Sequence, residues 1–405
     1  MDISSFEDDL AAVQQAPRRL RRSPEAVRRF GSKAALYAAA LRQGDPLADA
    51  LAADIAGDST RRIALAFEAA LTEGLASVVE PPDSLRAFFD HVEATPAWLD
   101  REKLDAGGVS YLRLGPALQI CMTAALAAGY NSAASVKPLA RTRRFIDSAE
   151  PRARETGIWF FKTLRPGGLA PRAPGYQATV RVRLVHAMVR RALLRTGDWN
   201  EADWGAPLNM GDTSRGIATE FTTVPIDAAR KMGYTITESE ADAMHHLFRY
   251  VGYLLGVPES LLPQNQWQAR ELTALIDLTN DGPDEDCRRL IHSLLNIGPS
   301  DLRAKGRPIA AAIVRDLLHG YVRVFAGDAD ADRQGVRNTP FKHVLSLSRP
   351  FARLRDKQRQ GASERAAFAI AFADLILRDL AGVEVVDASL AAAAVSNTGE
   401  MAIAA

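Results

Sequence analysis

Cysteine is nearly absent from this chain: Cys121 and Cys287 are the two among 405 residues. Neither belongs to a CxxC pair. That excludes a disulfide framework, a thiolate zinc site and covalent haem attachment through CxxCH. An excess of one charge is also missing. A net charge of +1 gives no global field to draw nucleic acid or an anionic membrane. Long apolar runs are missing as well. Leu114 to Tyr130 is the apolar part of the longest uncharged stretch, and it is too short, and too broken by Pro116 and Gln119, to span a membrane. No segment alternates with period two, no Asn-Gly or Asp-Gly turn sits between β-branched runs, and no repeat is evident. The expected fold is all-α.

Several catalytic signatures are absent too. There is no P-loop, no strand followed by GxGxxG, no HExxH and no GxSxG. A di-iron carboxylate bundle needs two Glu-x-x-His pairs. Asp242-x-x-His245 stands alone, and the adjacent His245 and His246 point about 100° apart on a helix. What remains is an ordinary globular composition, 47% hydrophobic and 24% charged, enough for one large domain or two modest ones.

Helical periodicity runs through most of the chain. Residues 1–58 are Ala-, Arg- and Leu-rich with breakers at Pro17 and Pro24, and read as peripheral N-terminal helices. Residues 59–270 read as the helical core, residues 271–390 as C-terminal helices packed on it, and residues 391–405 as a disordered tail. Asp83 or Ser84 is placed to cap a helix carrying Leu85, Phe88, Phe89 and Val92. Thr237 and Glu240 form a capping box before Met244, Leu247, Phe248 and Val251. The alanines of Leu114 to Tyr130 allow close approach of a flat cofactor or of a neighbouring helix.

The functional reading hangs on Arg181 to Arg191. At helical spacing Val182, Val185, His186, Val189 and Leu193 share one face, apolar except for a single imidazole. Arg183 and Arg190 border that face one turn before and one turn after His186. The imidazole has two readings: a core histidine bonded to a carbonyl, or a neutral ligand offered to a metal. A buried arginine needs an anion. Haem carries two carboxylates on one edge and iron at its centre, so it would satisfy all three side chains; a buried protein carboxylate that orients the helix would equally satisfy an arginine. Upstream, Arg152, Glu155, Thr156 and Trp159 lie at i, i+3, i+4 and i+7. They share another face, either solvated or lining a site.

These motifs in this order resemble the latex clearing protein (rubber oxygenase) and mpaB-type oxygenase catalytic domain. The resemblance rests on Arg152-x-x-Glu155-Thr156, then His186 within R-x-x-H-x-x-x-R. Pro96-Ala-Trp98, Gly129-Tyr130, Trp204-Gly-x-Pro-x-Asn209 and RYVGYLLGVPESLL from Arg249 to Leu262 support it. It implies a single large helical domain with a globin-like core holding haem b and extra peripheral helices. His186 would be the axial ligand to the iron, with Arg183 and Arg190 as flanking cofactor-binding residues. Arg152 and Thr156 would stand on the distal side. The implied reaction uses dioxygen to cleave or oxidise a carbon–carbon double bond of an isoprenoid or other unsaturated apolar substrate, with an electron donor for the iron as a further partner.

The chain departs from the rubber oxygenases. Glu155 stands where they carry a lysine that can cap the iron, and Val136 and Lys137 stand near their separate distal glutamate. The arginine pairs Arg18–Arg19, Arg21–Arg22 and Arg28–Arg29 are not followed by a sustained apolar stretch, because Arg42, Gln43, Gly44 and Asp45 interrupt Ala34 to Leu41. The expectation is therefore a cytoplasmic protein rather than one exported by a twin-arginine signal, acting on a small substrate. Two other readings stay open: a non-catalytic helical protein binding an apolar ligand or partner with a degenerate haem site, and peroxidase-like chemistry driven by peroxide.

Overall fold

The structure is a computed structural model that describes residues 3–141, 149–358 and 362–381. The tail expected at residues 391–405 lies outside the described residues, as does the side chain of Arg152. Among the described residues every regular element is a helix and there is no strand.

The chain runs α1 (Ile3–Gln14), α2 (Ser23–Phe30), α3 (Ser32–Ala40), α4 (Pro46–Gly57), α5 (Arg62–Glu73), α6 (Asp83–Glu93), α7 (Arg101–Leu112), α8 (Ala117–Gly129) and α9 (Ala133–Arg141). It continues as α10 (Ala149–Leu164), α11 (Pro174–Arg195), α12 (Glu201–Trp204), α13 (Met210–Arg215), α14 (Val224–Lys231), α15 (Glu238–Leu254) and α16 (Gln266–Thr279). The C-terminal part holds α17 (Glu285–Ala304), α18 (Pro308–Ala326), α19 (Asp328–Arg333), α20 (Val344–Gln358) and α21 (Ala362–Ala381).

Local chemistry sets many of these boundaries. The Thr237–Glu240 capping box forms as expected and starts α15. Asn209 accepts the Asp212 amide at 2.7 Å and opens α13. The cap expected from Asp83 or Ser84 does not form. Helix α6 begins at Asp83 itself behind Pro82, and the Ser84 hydroxyl donates to Asp54 instead. Between α13 and α14 the helix loosens into a π-turn, Gly216–Thr223. There the hydroxyls of Thr222 and Thr223 donate to the carbonyls five residues back, Ile217 and Ala218, each at 2.7 Å.

The main core joins α4 to α8, α10, α11, the π-turn, α14 and α15. Helix α4, read from the sequence among the peripheral helices, places Ala48, Leu51 and Ala52 in that core without exposed surface. Helix α7 lies tight against two neighbours because it carries Gly107 and Gly108. A Cβ on Gly108 would stand 2.0 Å from the Leu164 carbonyl oxygen at the end of α10. Smaller clusters sit at α8, α9, α17 and α18, and at α1 to α3 against α16. Among the described residues no single helix is long and apolar enough to cross a membrane; α7 and α8 meet the length and composition only as a pair bent by 99°.

Candidate functional site

Helices α10 and α11 form an antiparallel hairpin whose register can be read from two contacts. Gly175 packs on Lys162, where a Cβ would lie 2.6 Å from the lysine carbonyl oxygen. One turn further in, the indole Nε1 of Trp159 donates to Thr179 Oγ1 at 3.0 Å. Stepping back along α10 therefore steps forward along α11. Continued, this register brings Glu155 and Thr156 level with Val182 and Arg183, and Arg152 level with His186. Continued in this way, the hairpin sets the turn of Glu155 and Thr156 alongside the turn of Val182 and His186.

His186 is half-buried, and so are Val182, Val185 and Val189 on its face; Leu193 is buried. This apolar face is therefore partly open and is not the most deeply buried side of α11. The sealed side of α11 carries Val180, Arg183, Leu184, Ala187 and Arg190. Glu155, Thr156 and Trp159 on α10 are likewise half-buried. The indole of Trp159 meets Phe221 of the π-turn edge-on, with ring centres 5.3 Å apart.

Both arginines flanking His186 are held by carboxylates from the N-terminal part of the chain. Asp45 takes Arg183 through two bonds, 2.6 Å to Nε and 3.0 Å to Nη2. The guanidinium stacks over Phe88 at 4.7 Å. Its Nη1 lies 3.1 Å from Nδ1 of His91. Arginine can only donate, so that nitrogen must be the bare one of a neutral ring. Burial, and then Arg183 itself, push the His91 pKa down to about 4. Gly256, at φ +82, closes over this pair; a Cβ there would stand 2.4 Å from Asp45 and 2.6 Å from Arg183.

Arg190 makes the second pair, with Asp49 at 2.9 and 3.1 Å, and donates to the Leu208 carbonyl at 2.6 Å. Its Nη2 is sealed from water without a hydrogen-bond partner among the described residues. Burial raises the Asp49 pKa, and Arg190 opposes that rise.

Three more features were not singled out in the sequence. Asp45 and Asp49 carry the arginine partners, yet the sequence reads Asp45 only as part of a polar break. Glu220 on the π-turn forms a 3.4 Å pair with Arg215, and burial raises its pKa against that cation. Its carboxyl packs so closely on Gly129 that a Cβ there would lie 2.5 Å away. Arg19 is buried at the centre of a polar network, bonded to Asp212 at 2.7 and 2.8 Å and to Ser132 at 3.2 Å. Near the position of the missing distal glutamate, Val136 is core, and Lys137 is paired with Asp284 and Asp286 at 2.5 Å each.

Residues 112–355 match the sequence pattern of the family described as ER-bound oxygenase mpaB/B'/Rubber oxygenase, catalytic domain. The chain belongs to this family. A rubber oxygenase of Streptomyces sp. (strain K30) is 24% identical over 200 residues, which cover 46% of this chain and 46% of that protein. The match thus spans about half the length of that curated relative. A solved structure of latex clearing protein in the closed state superposes with a TM-score of 0.60 at 18% identity, covering 83% of this chain and 91% of that one. That likeness is one of fold. The family match takes in Arg152, Glu155, Thr156, Arg183, His186 and Arg190, whereas Asp45, Asp49 and His91 lie outside it.

Proposed function

We propose that the protein is a haem-b-dependent oxygenase. It uses dioxygen to cleave or oxidise a carbon–carbon double bond of an isoprenoid or other unsaturated apolar substrate. The observation that supports this reading is the hairpin register, which, continued from Trp159 and Thr179, would bring Glu155 and Thr156 of α10 towards the His186 face of α11.

The donor set fits haem better than a bare ion. A bare first-row ion draws three or four ligands from protein side chains. Among the described residues no group of three His, Cys, Asp or Glu could supply them. Haem brings its four equatorial nitrogens and asks the protein for an axial imidazole. His186, on a half-buried face, would be that ligand. Since Asp45 and Asp49 already take Arg183 and Arg190, these arginines would fix the pitch and rotation of α11, and the sealed Nη2 of Arg190 is a donor in want of an acceptor. When bound, the cofactor would supply the redox chemistry that dioxygen requires.

The chain's own residues would do the rest. Arg152 and Thr156 would donate hydrogen bonds on the distal side. Glu155, an oxygen donor where the rubber oxygenases have an amine, would match haem iron poorly and would not cap it. It would either take an allylic proton from the substrate or hold the shape of the pocket. A small intracellular terpenoid or unsaturated lipid suits this site better than polymer rubber. Retention in the cytoplasm is part of this proposal.

The test is turnover of a short isoprenoid probe with oxygen uptake and carbonyl products measured together. Oxygen-dependent formation of aldehyde or ketone supports the proposal, and turnover that requires peroxide instead contradicts it. In Glu155→Gln, a fall of about 10²-fold with cofactor retained assigns the carboxylate as a base. Unchanged turnover makes Glu155 structural.

A further inference from the structure

Buried arginines in this protein generally meet a carboxylate: Arg183 meets Asp45, Arg190 meets Asp49, Arg19 meets Asp212 and Arg323 meets Asp332. Arg249 on α15 departs from that pattern. It is 8% exposed, and its guanidinium carbon sits 3.9 Å from the centre of the Trp98 ring. Its Nε is sealed from water without a hydrogen-bond partner among the described residues. The exposed Glu259 favours its charge only from a distance, and burial outweighs that help and lowers the arginine pKa.

Arg249 has neighbours that share its lack of hydrogen-bond partners. Trp98 Nε1 and His245 Nε2 are also buried without partners. His245 is 1% exposed and lies one turn before Arg249 on the same face of α15. An indole N–H and a guanidinium N–H can only donate. Lys103, in the first turn of α7, adds positive charge felt by both His245 and His246, and Arg101 acts on the neighbouring Tyr250. Of the two carboxylates at that helix start, Asp100 is turned to its own backbone and caps the Lys103 amide at 3.0 Å, and Glu102 is exposed.

We propose that the protein binds a small oxyanion, a phosphate or carboxylate group, where Trp98, the first turn of α7 and α15 meet, with Arg249 as principal ligand and Lys103 as second cation. The stacked indole fixes the plane of the guanidinium, as a bidentate anion site requires. None of its residues belongs to the α10/α11 hairpin, so this site stands whether or not the oxygenase reading does. The anion can be free in solution or be the headgroup of a lipid.

The experiment is calorimetric titration of the full-length protein with inorganic phosphate at constant ionic strength in a chloride buffer. Saturable binding is expected. Arg249→Gln should raise Kd by about tenfold or more, the effect of losing hydrogen bonds to a charged group. Lys103→Glu, a change on a half-buried helix start, should weaken binding as well and covers the case in which Arg249→Gln does not fold. Sedimentation with phosphatidate vesicles, against phosphatidylcholine vesicles as control, separates the sources. Phosphatidate binding that free phosphate competes away and that Lys103→Glu weakens assigns a headgroup; phosphate binding without vesicle binding assigns a free anion. No saturable binding of either by the unaltered protein, or binding undiminished in both variants, overturns the proposal.

Discussion

Arg183, one turn before His186 on α11, is held by Asp45. Both side chains are nearly sealed, at 2% and 4% exposure. Removing one partner leaves the other charge buried alone, so Arg183→Leu should destabilise the fold by about 3–5 kcal/mol, and adding Asp45→Leu should return part of that loss. Chemical denaturation of the unaltered protein, the single variant and the double variant checks this. His91 adds a pH dependence. Its folded pKa of about 4 lies below the ordinary value of 6.5, so protons bind the unfolded chain more readily. Its contribution is therefore full above pH 6.5, and is lost as pH falls from 6.5 towards 4. The ring is partly exposed, so the loss should stay near 2 kcal/mol or less. His91→Gln, which keeps an acceptor for Arg183, should flatten that part of the stability–pH curve between pH 7.5 and 4.5; an unchanged curve would contradict the assignment. The need of both arginines for anions was legible in the sequence. Which anions was not, because Asp45 is 138 residues away from Arg183 and stands in what reads as a polar break.

At the scale of elements, the fold follows signals that act over a few residues, and the site follows contacts that do not. The α15 capping box was legible because both partners lie within four residues. Thr237→Ala should cost about 1 kcal/mol, measured as a shift in the denaturation midpoint. The hairpin register was not legible, since it rests on Trp159 meeting Thr179 and on Gly175 meeting a backbone carbonyl. The π-turn was equally hidden, because one extra residue inside a helix barely disturbs the apolar spacing. Close helix approach through glycine gives the sharper test. In Gly108→Ala the new methyl would fall within 2.0 Å of the Leu164 carbonyl oxygen, and backbone there cannot yield without moving α7 off α10. A loss of about 3 kcal/mol or more is expected, the upper end for overpacking. A melting point equal to that of the unaltered protein would show that the two helices are not packed as described.

For the whole molecule, the family match begins at residue 112, but the carboxylates that hold α11 lie before it. The all-helical class was legible from the missing alternation and missing turn signals, while the part played by the N-terminal helices was not, since their Ala- and Arg-rich composition reads as surface. A chain starting at residue 59 would lose Asp45, Asp49 and the buried face of α4. It should be insoluble or fail to show cooperative unfolding by circular dichroism. The central claim is that His186 holds a haem between the two framed arginines, and the absorption spectrum of the purified full-length protein tests it most directly. A Soret band is predicted in the unaltered protein and in His245→Ala and His246→Ala, and no such band in His186→Ala. A Soret band undiminished in His186→Ala, or absent from the unaltered protein after reconstitution with haemin, would contradict it.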